Sequence, residues 1–513
     1  MILGVAKLNI KKVLYALMVL SVSLALPKYE ALANDIQVSN FTTHPFSGGT
    51  GEFEFDITWQ NSWRVAETPM HWDAAWVFCK ISLNGGAWQH LRLDSTGHTI
   101  PAGVSTDLGL ADTGAAYNAS SNPYVGIFLY RSANGTGAFT ANDVRLRWNY
   151  SDNGAVSGDT VDIRVFAVEM VYIPAGAFSA GDRSSTNAFR QTSVAGSAPW
   201  SITSEGAITT QATGPNWYYP GAGDAPGSVF TIPAAFPKGF AAFYMMKGEI
   251  SQSQWVAFFN ALTTTQRSAR DITAPGAKGS DGLSGRNSVS CPPTGSACTG
   301  TATLPDRGAG ATYTGVAMNF ISWADVTAYL DWSGLRPMSE LEFEKACRGT
   351  SAAVSGEYSW GNTTLTNPSS ISNIGLAAER ANAASNGIAG SGTGPLRVGS
   401  FAQGVSTRAG SGSGFYGVME LSGNLWERSV TVGNSSGRSF EGRYHGDGAL
   451  SASGSADTTS WPSPTTGAGS GFRGGGFNTA TARAATSSRG DAAFADPSAR
   501  VNGNGGRGVR TAP

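Results

Sequence analysis

Residues Asn319–Gly349 read NFISWADVTAYLDWSGLRPMSELEFEKACRG, and two capped helices can be spelled out from them. Ser322 stands three positions before Asp325, a capping-box-like pair with the acid near the positive helix end. Trp323, Val326 and Leu330 recur at helical spacing with Tyr329 beside them, which predicts one apolar face. Ser333-Gly334 stops this helix, and Arg336 before Pro337 is held extended. A second helix starts at Ser339, with Glu342 at its third position completing a capping box. Met338 and Phe343 bracket it as a staple, and Gly349 ends it. Glu340, Glu342 and Glu344 share this helix and read as structural groups.

The segment resembles the central motif of the formylglycine-generating enzyme (sulfatase-modifying factor) family, whose fold is a variant of the C-type lectin fold. Other landmarks follow in that family's order. Met170–Phe178 (MVYIPAGAF) is similar to its opening strand. Phe243–Phe259 (FYMMKGEISQSQWVAFF), with a Ser251/Gln254 capping box, is similar to the next strand and helix. Tyr358–Gly361 (YSWG), Gly417–Arg428 (GVMELSGNLWER) and Arg473–Phe477 (RGGGF) resemble its YPWG, GLYDMxGNVWEW and RGGSW segments. The resemblance implies an α+β, C-type-lectin-like formylglycine-generating-enzyme fold over residues 169–513.

Upstream, residues 34–168 read as an all-β sandwich domain. Phe53, Phe55, Ile57 and Trp59 alternate with polar residues, the period of a half-buried strand. Ala75–Leu83 and Trp88–Leu93 flank an Asn84-Gly85-Gly86 turn, and Tyr124–Arg131, Val144–Tyr150 and Thr160–Val168 add further strands. About seven strands at this spacing fit a sandwich of immunoglobulin-like size. The last strand runs almost directly into Met170, so close packing of the two regions is expected. Thr263–Thr312 and Ala449–Gly471 are Gly/Ser/Thr-rich and read as long surface insertions.

Residues 1–33 have the form of a signal peptide. Lys7, Lys11 and Lys12 precede the apolar run Val13–Leu26, and Ala31-Leu32-Ala33 offers a cleavage site before Asn34. The expectation is a secreted or cell-surface protein, of bacterial-surface type, with no membrane span after signal cleavage. The whole chain carries −1, and −4 without the four lysines and one glutamate of the leader, so nothing favours nucleic acid as a partner. Of four cysteines, Cys291 and Cys298 flank PPTGSA in a small-residue loop, and an exported protein would oxidise them to a disulfide. Cys79 and Cys347 read as buried core thiols.

The resemblance also sets expectations for chemistry. The family's copper oxidases carry two cysteines after RGGS that bind Cu(I) as thiolates. Here Thr479 and Ala484 stand at those places and no cysteine follows Cys347, so no copper and no formylglycine-generating activity are expected. Structural Ca²⁺ is implied at Glu420, Gly423, Leu425 and Glu427, where Glu420 replaces an Asp or Asn. A second set would use Asn382 and Ala383, without an evident acidic ligand downstream. His445 and Asp447, in YHGDG, are a weaker metal candidate, and no helical histidine pattern for non-haem iron is present. The ligand surface would be Thr479–Asp496, with Thr479, Arg483, Arg489 and Asp491 as contacts. The reading is a surface protein that binds an extracellular glycan or protein ligand or assembles through this fold. The alternative is a divergent metal-dependent oxidoreductase of the same family.

Overall fold

The computed structural model describes residues 36–513, apart from 45–48, 115–121, 157, 219–222, 294–297, 299 and 403–406. The leader and its cleavage site lie outside the described residues. Eight strands open the described residues: β1 (Gln37–Thr43), β2 (Thr50–Arg64), β3 (Asp73–Leu83), β4 (Gln89–Leu91), β5 (Val104–Leu110), β6 (Tyr124–Arg131), β7 (Gly135–Asn149) and β8 (Val161–Ile173). Strands β1, β2 and β7 form a three-stranded antiparallel sheet. The others belong to a seven-stranded antiparallel sheet, whose order is Val509–Thr511, Phe243–Met246, β8, β3, β6, β5, with β4 also on β3.

This sheet passes through the expected domain boundary. Strand β8 pairs with β3 from Val161↔Leu83 to Val171↔Asp73, and its far end pairs with Phe243–Met246. The β-rich N-terminal region and the lectin-like region therefore share backbone hydrogen bonds as well as a packed face.

The run Ala74–Ile81 shows why a fully buried strand belongs here. Ala75, Val77, Cys79 and Ile81 pack toward β2 with Phe53, Phe55, Ile57 and Trp59. Ala74, Trp76 and Phe78 face the opposite core, with Trp255, Tyr329 and Trp332. Alternate residues thus serve two cores, one sheet-on-sheet and one sheet-on-helix.

Four main helices follow: α1 (Gln252–Asn260), α2 (Thr264–Arg270), α3 (Trp323–Trp332) and α4 (Glu340–Arg348). Reciprocal capping boxes start α1 at Ser251/Gln254, α3 at Ser322/Asp325 and α4 at Ser339/Glu342. The expected single apolar face of α3 is exceeded. Every residue of α3 except Ala324 is buried, Asp325 and Asp331 included. Its C-terminal carbonyls are taken by strand β3, because Lys80 Nζ donates to Trp332 O at 2.7 Å and Trp76 Nε1 to Ser333 O at 2.8 Å. The first insertion is partly ordered by α2, which has its own Thr263/Gln266 capping box. Cys291 and Cys298 form a disulfide with Cα atoms 5.7 Å apart, and Cys79 and Cys347 are free and buried.

The acidic residues of α4 are the anchors of the second half. Glu340 accepts from Arg489 Nε at 2.6 Å and from Arg473 at 3.0 Å. Glu344 accepts from Arg473 at 2.7 Å, and Arg336 grips Glu342 with two nitrogens at 2.9 and 2.6 Å. All of these side chains are buried. Removing one partner strands the opposite charge in a low-dielectric site. Arg489→Ala is expected to destabilise the fold by about 3–5 kcal/mol in denaturant titrations, the cost of leaving a buried charge uncompensated.

Candidate functional site

Strand Trp426–Val430 lies between Ser470–Arg473, antiparallel, and Asn504–Gly505, parallel. Beside it opens a cleft of about 270 Å³ with Trp426, Phe472 and Phe494 as its aromatic lining. Thr479, Arg483, Asp491, Asp496 and Asn504 supply polar groups, and Ala499 and Val501 complete the wall. Phe494 and Val501 are each 51% exposed, so apolar surface is held open to solvent here. Arg483 and Asp491 form an ion pair across the cleft. Three of the four expected contacts, Thr479, Arg483 and Asp491, meet in this cleft; Arg489 does not, being fully buried against Glu340 and 3.8 Å from the Phe189 ring centre.

Arg428 adds a charge behind the lining. Alternate strand residues share a face, so it lies on the side of Trp426, and its guanidinium carbon is 3.8 Å from the Phe472 ring centre. It is 1% exposed and none of its three nitrogens has a hydrogen-bond partner. Burial lowers its pKa to about 9, against the opposing pull of Asp496 and Asp325.

The donor set of a Cu(I) site does not fit these residues. Thr479 Oγ1 is bonded to the Gly476 backbone at 2.9 and 3.0 Å, and Ala484 has no donor. The free thiols of Cys79 and Cys347 are buried, which pushes both far up and keeps them protonated. Cu(I) bound in the manner of the family's cysteine pair needs thiolates, which neither cysteine offers here.

The residues expected around calcium lie together in part. Glu427 gives both oxygens to Arg507, at 2.6 Å each. Glu420, at a positive φ of 53°, accepts the Gly399 N–H with Oε1, while Oε2 is buried without a partner. The Leu425 N–H donates to Glu249 at 3.0 Å, and Gly423 approaches Ile388 so closely that a Cβ would lie 2.3 Å from its carbonyl oxygen. Three carboxylates, Glu249, Glu420 and Glu427, thus surround one guanidinium. In the second set, Asn382 Oδ1 accepts the Ser369 N–H at 2.8 Å and Ala383 is exposed. Glu249 escaped the sequence reading, although an acid three residues after the apolar strand Phe243–Met246 was a visible signal.

A third cluster joins the two regions. Asp331 on α3 meets Asp447 and Asp457, with one oxygen from each within 4.8 Å of the others. Burial and the neighbouring Asp447 raise Asp331 to about 7. Lys80 is buried nearby and Arg92 lies 3.7 Å from Asp447. These three carboxylates can hold a metal ion, and hard oxygen ligands suit Ca²⁺ or Mg²⁺. The YHGDG segment contributes Asp447 here, whereas His445 Nε2 accepts the Thr511 N–H at 3.0 Å.

A family model described as a Sulfatase-modifying factor enzyme 1-like domain matches residues 162–512. The chain belongs to this family. The match begins at the second residue of β8, so nearly all of the strand that pairs with both β3 and Phe243–Met246 lies inside it. No curated protein matches the chain. No helix among the described residues is long and apolar enough to cross a membrane.

Two outcomes follow from the carboxylates around Arg507. Glu427→Ala leaves that guanidinium without its bidentate partner, so it is expected to cost about 3–5 kcal/mol with or without added calcium. A loss confined to calcium-containing buffer, read from melts with and without chelator, would contradict this account. Burial raises Glu420 to about 7, against the pull of Arg507. The fold prefers its neutral form, so its stabilisation is complete below about pH 4.5 and is lost as pH rises through about 7. Glu420→Gln should flatten this decline by on the order of 3 kcal/mol between pH 4.5 and 8, measured by urea midpoints at both ends.

Proposed function

We propose that this chain is an exported ligand-binding member of its family that uses the Trp426–Asn504 cleft and has no copper oxidase activity. The observation that carries the reading is the pairing of exposed Phe494 and Val501 with the aromatic lining and a polar rim, at the place where the family's thiolates are missing. Open apolar surface edged by polar groups is the signature of an interaction site. A volume of about 270 Å³ suits a sugar unit or one side chain rather than a large cofactor. Trp426 and Phe494, with Phe472 behind them, offer aromatic surface to the C–H side of a pyranose, and Thr479, Asp496 and Asn504 offer hydrogen bonds to its hydroxyls. We therefore place an extracellular glycan first and a protein ligand second.

The second reading, a metal-dependent member with another chemistry, is supported by the Asp331/Asp447/Asp457 cluster. Its all-carboxylate character favours a structural hard cation over a redox metal. Binding at this cluster requires Asp331 to lose its proton, so a thermal shift produced by Ca²⁺ should be larger at pH 8 than at pH 6.

Glycan-array binding of the purified protein, with Trp426→Ala beside it and metal analysis of the same sample, tests the proposal. Loss of the central aromatic is expected to cost about 2 kcal/mol of binding, with calcium or no metal bound. Stoichiometric copper or iron, or glycan and protein binding unaffected by Trp426→Ala, would overturn it.

A further inference from the structure

Outside the cleft, three buried ionisable side chains from adjacent strands converge beneath β2. Asp73 opens β3, Glu169 lies in β8, and Lys247 follows the Phe243–Met246 strand. The registers Ala75↔Glu169 and Met246↔Met170, together with a Lys247 N–H to Glu169 O bond of 2.9 Å, set all three on one face of the sheet. Lys247 Nζ is 3.6 Å from Asp73 Oδ2 and 3.2 Å from Glu169 Oε2. The side chains are 5%, 0% and 8% exposed, and the Trp63 ring covers Nζ at 4.5 Å.

The hydrogen bonds to Asp73 divide its two oxygens. Oδ1 accepts from Ser62 Oγ at 2.7 Å and from the Trp63 N–H at 3.0 Å. Oδ2 accepts from Trp59 Nε1 at 2.9 Å and is the oxygen that faces Lys247. A bulge in β2 creates this arrangement. Between Trp59 and Ser62 the register with β7 slips by one residue, with Asn61 at a φ of 54°. The bulge turns a hydroxyl and a backbone N–H onto the same carboxylate oxygen, as bulges beside reactive sites do.

We propose that Lys247 and Asp73 condense to an intramolecular isopeptide bond with Glu169 as the proton carrier. Lys247 Nζ gives a proton to Glu169 and attacks Asp73 Cγ. Negative charge on Oδ1 in the tetrahedral intermediate is held by Ser62 Oγ–H and the Trp63 N–H, a two-donor oxyanion site. Glu169 returns the proton to Oδ2, the Cγ–Oδ2 bond breaks, and that oxygen leaves as water with a second proton from Nζ. An ammonium and a carboxylate thus become one amide and one water, with no oxidant or other reactant needed. Fixed geometry in a site closed to solvent supplies the driving advantage, since the reacting groups are already held near attack distance and bulk water is excluded. The bond would tie β3 of the N-terminal region to the strand that leads into α1.

Intact mass spectrometry of the reduced, denatured full chain, together with a peptide map, tests the proposal. The mature wild type is expected one water lighter than its sequence, with a branched peptide joining the Asp73 and Lys247 segments. Lys247→Arg should restore the full mass and remove the branched peptide. Glu169→Gln keeps the shape of the site and should restore the full mass in a protein that still melts cooperatively. A wild type at full sequence mass after prolonged incubation at neutral pH would overturn the bond. A branched peptide formed in Glu169→Gln at the wild-type yield would overturn the role of Glu169. If Lys247→Arg fails to fold, the wild-type peptide map alone decides.

Discussion

Pairing of the α4 carboxylates with arginines drawn from distant loops is the constraint on which the second half of the chain depends. Long stretches between residues 178 and 513 contain only short strands, so few backbone ladders hold them. Arg473 and Arg489 reach Glu340 from more than a hundred residues away in sequence. Each guanidinium presents several donors in a rigid plane, so a single side chain fixes both the position and the orientation of a loop. The carboxylates in turn sit on a helix whose start is fixed by its capping box. Order therefore spreads outward from one short helix of nine residues.

The same kind of pairing recurs around Glu420 and Glu427. Arg507 supplies a positive charge beside these carboxylates. A guanidinium satisfies Glu427 with two parallel hydrogen bonds, which a spherical ion does not require. Glu249 and Glu420 then share an environment with too little positive charge, and burial raises both carboxyls. The pH dependence of this centre is a consequence of three acids gathered around one base.

Much of this architecture was legible in the sequence because it is written in local rules. Ser322/Asp325, Ser339/Glu342 and Ser251/Gln254 announce helix starts by spacing alone, and all three form reciprocal caps. Phe53, Phe55, Ile57 and Trp59 announce a half-buried strand by alternation. What could not be read is long-range partnership. Asp331 follows the apolar pattern of α3 closely enough to be passed over, yet it meets Asp447 and Asp457 from a distant loop. Thr479, Arg483 and Asp491 were visible as a surface segment, but Trp426 and Phe472 join them only because two strands pair. Arg489 has the same local character as Arg483, and only the folded path of the chain sends one inward and the other to solvent.

Strand β8 carries a final consequence. Because it bonds β3 on one side and Phe243–Met246 on the other, the N-terminal region is an interior neighbour of the family fold, not an appended module. A protein cut between residues 168 and 169 would sever one strand in mid-course and bare the edge of a sheet whose two faces are both apolar. Such an edge invites pairing with other chains. The two regions therefore share one sheet, and replacing the β-rich part would demand a matching strand rather than a matching linker.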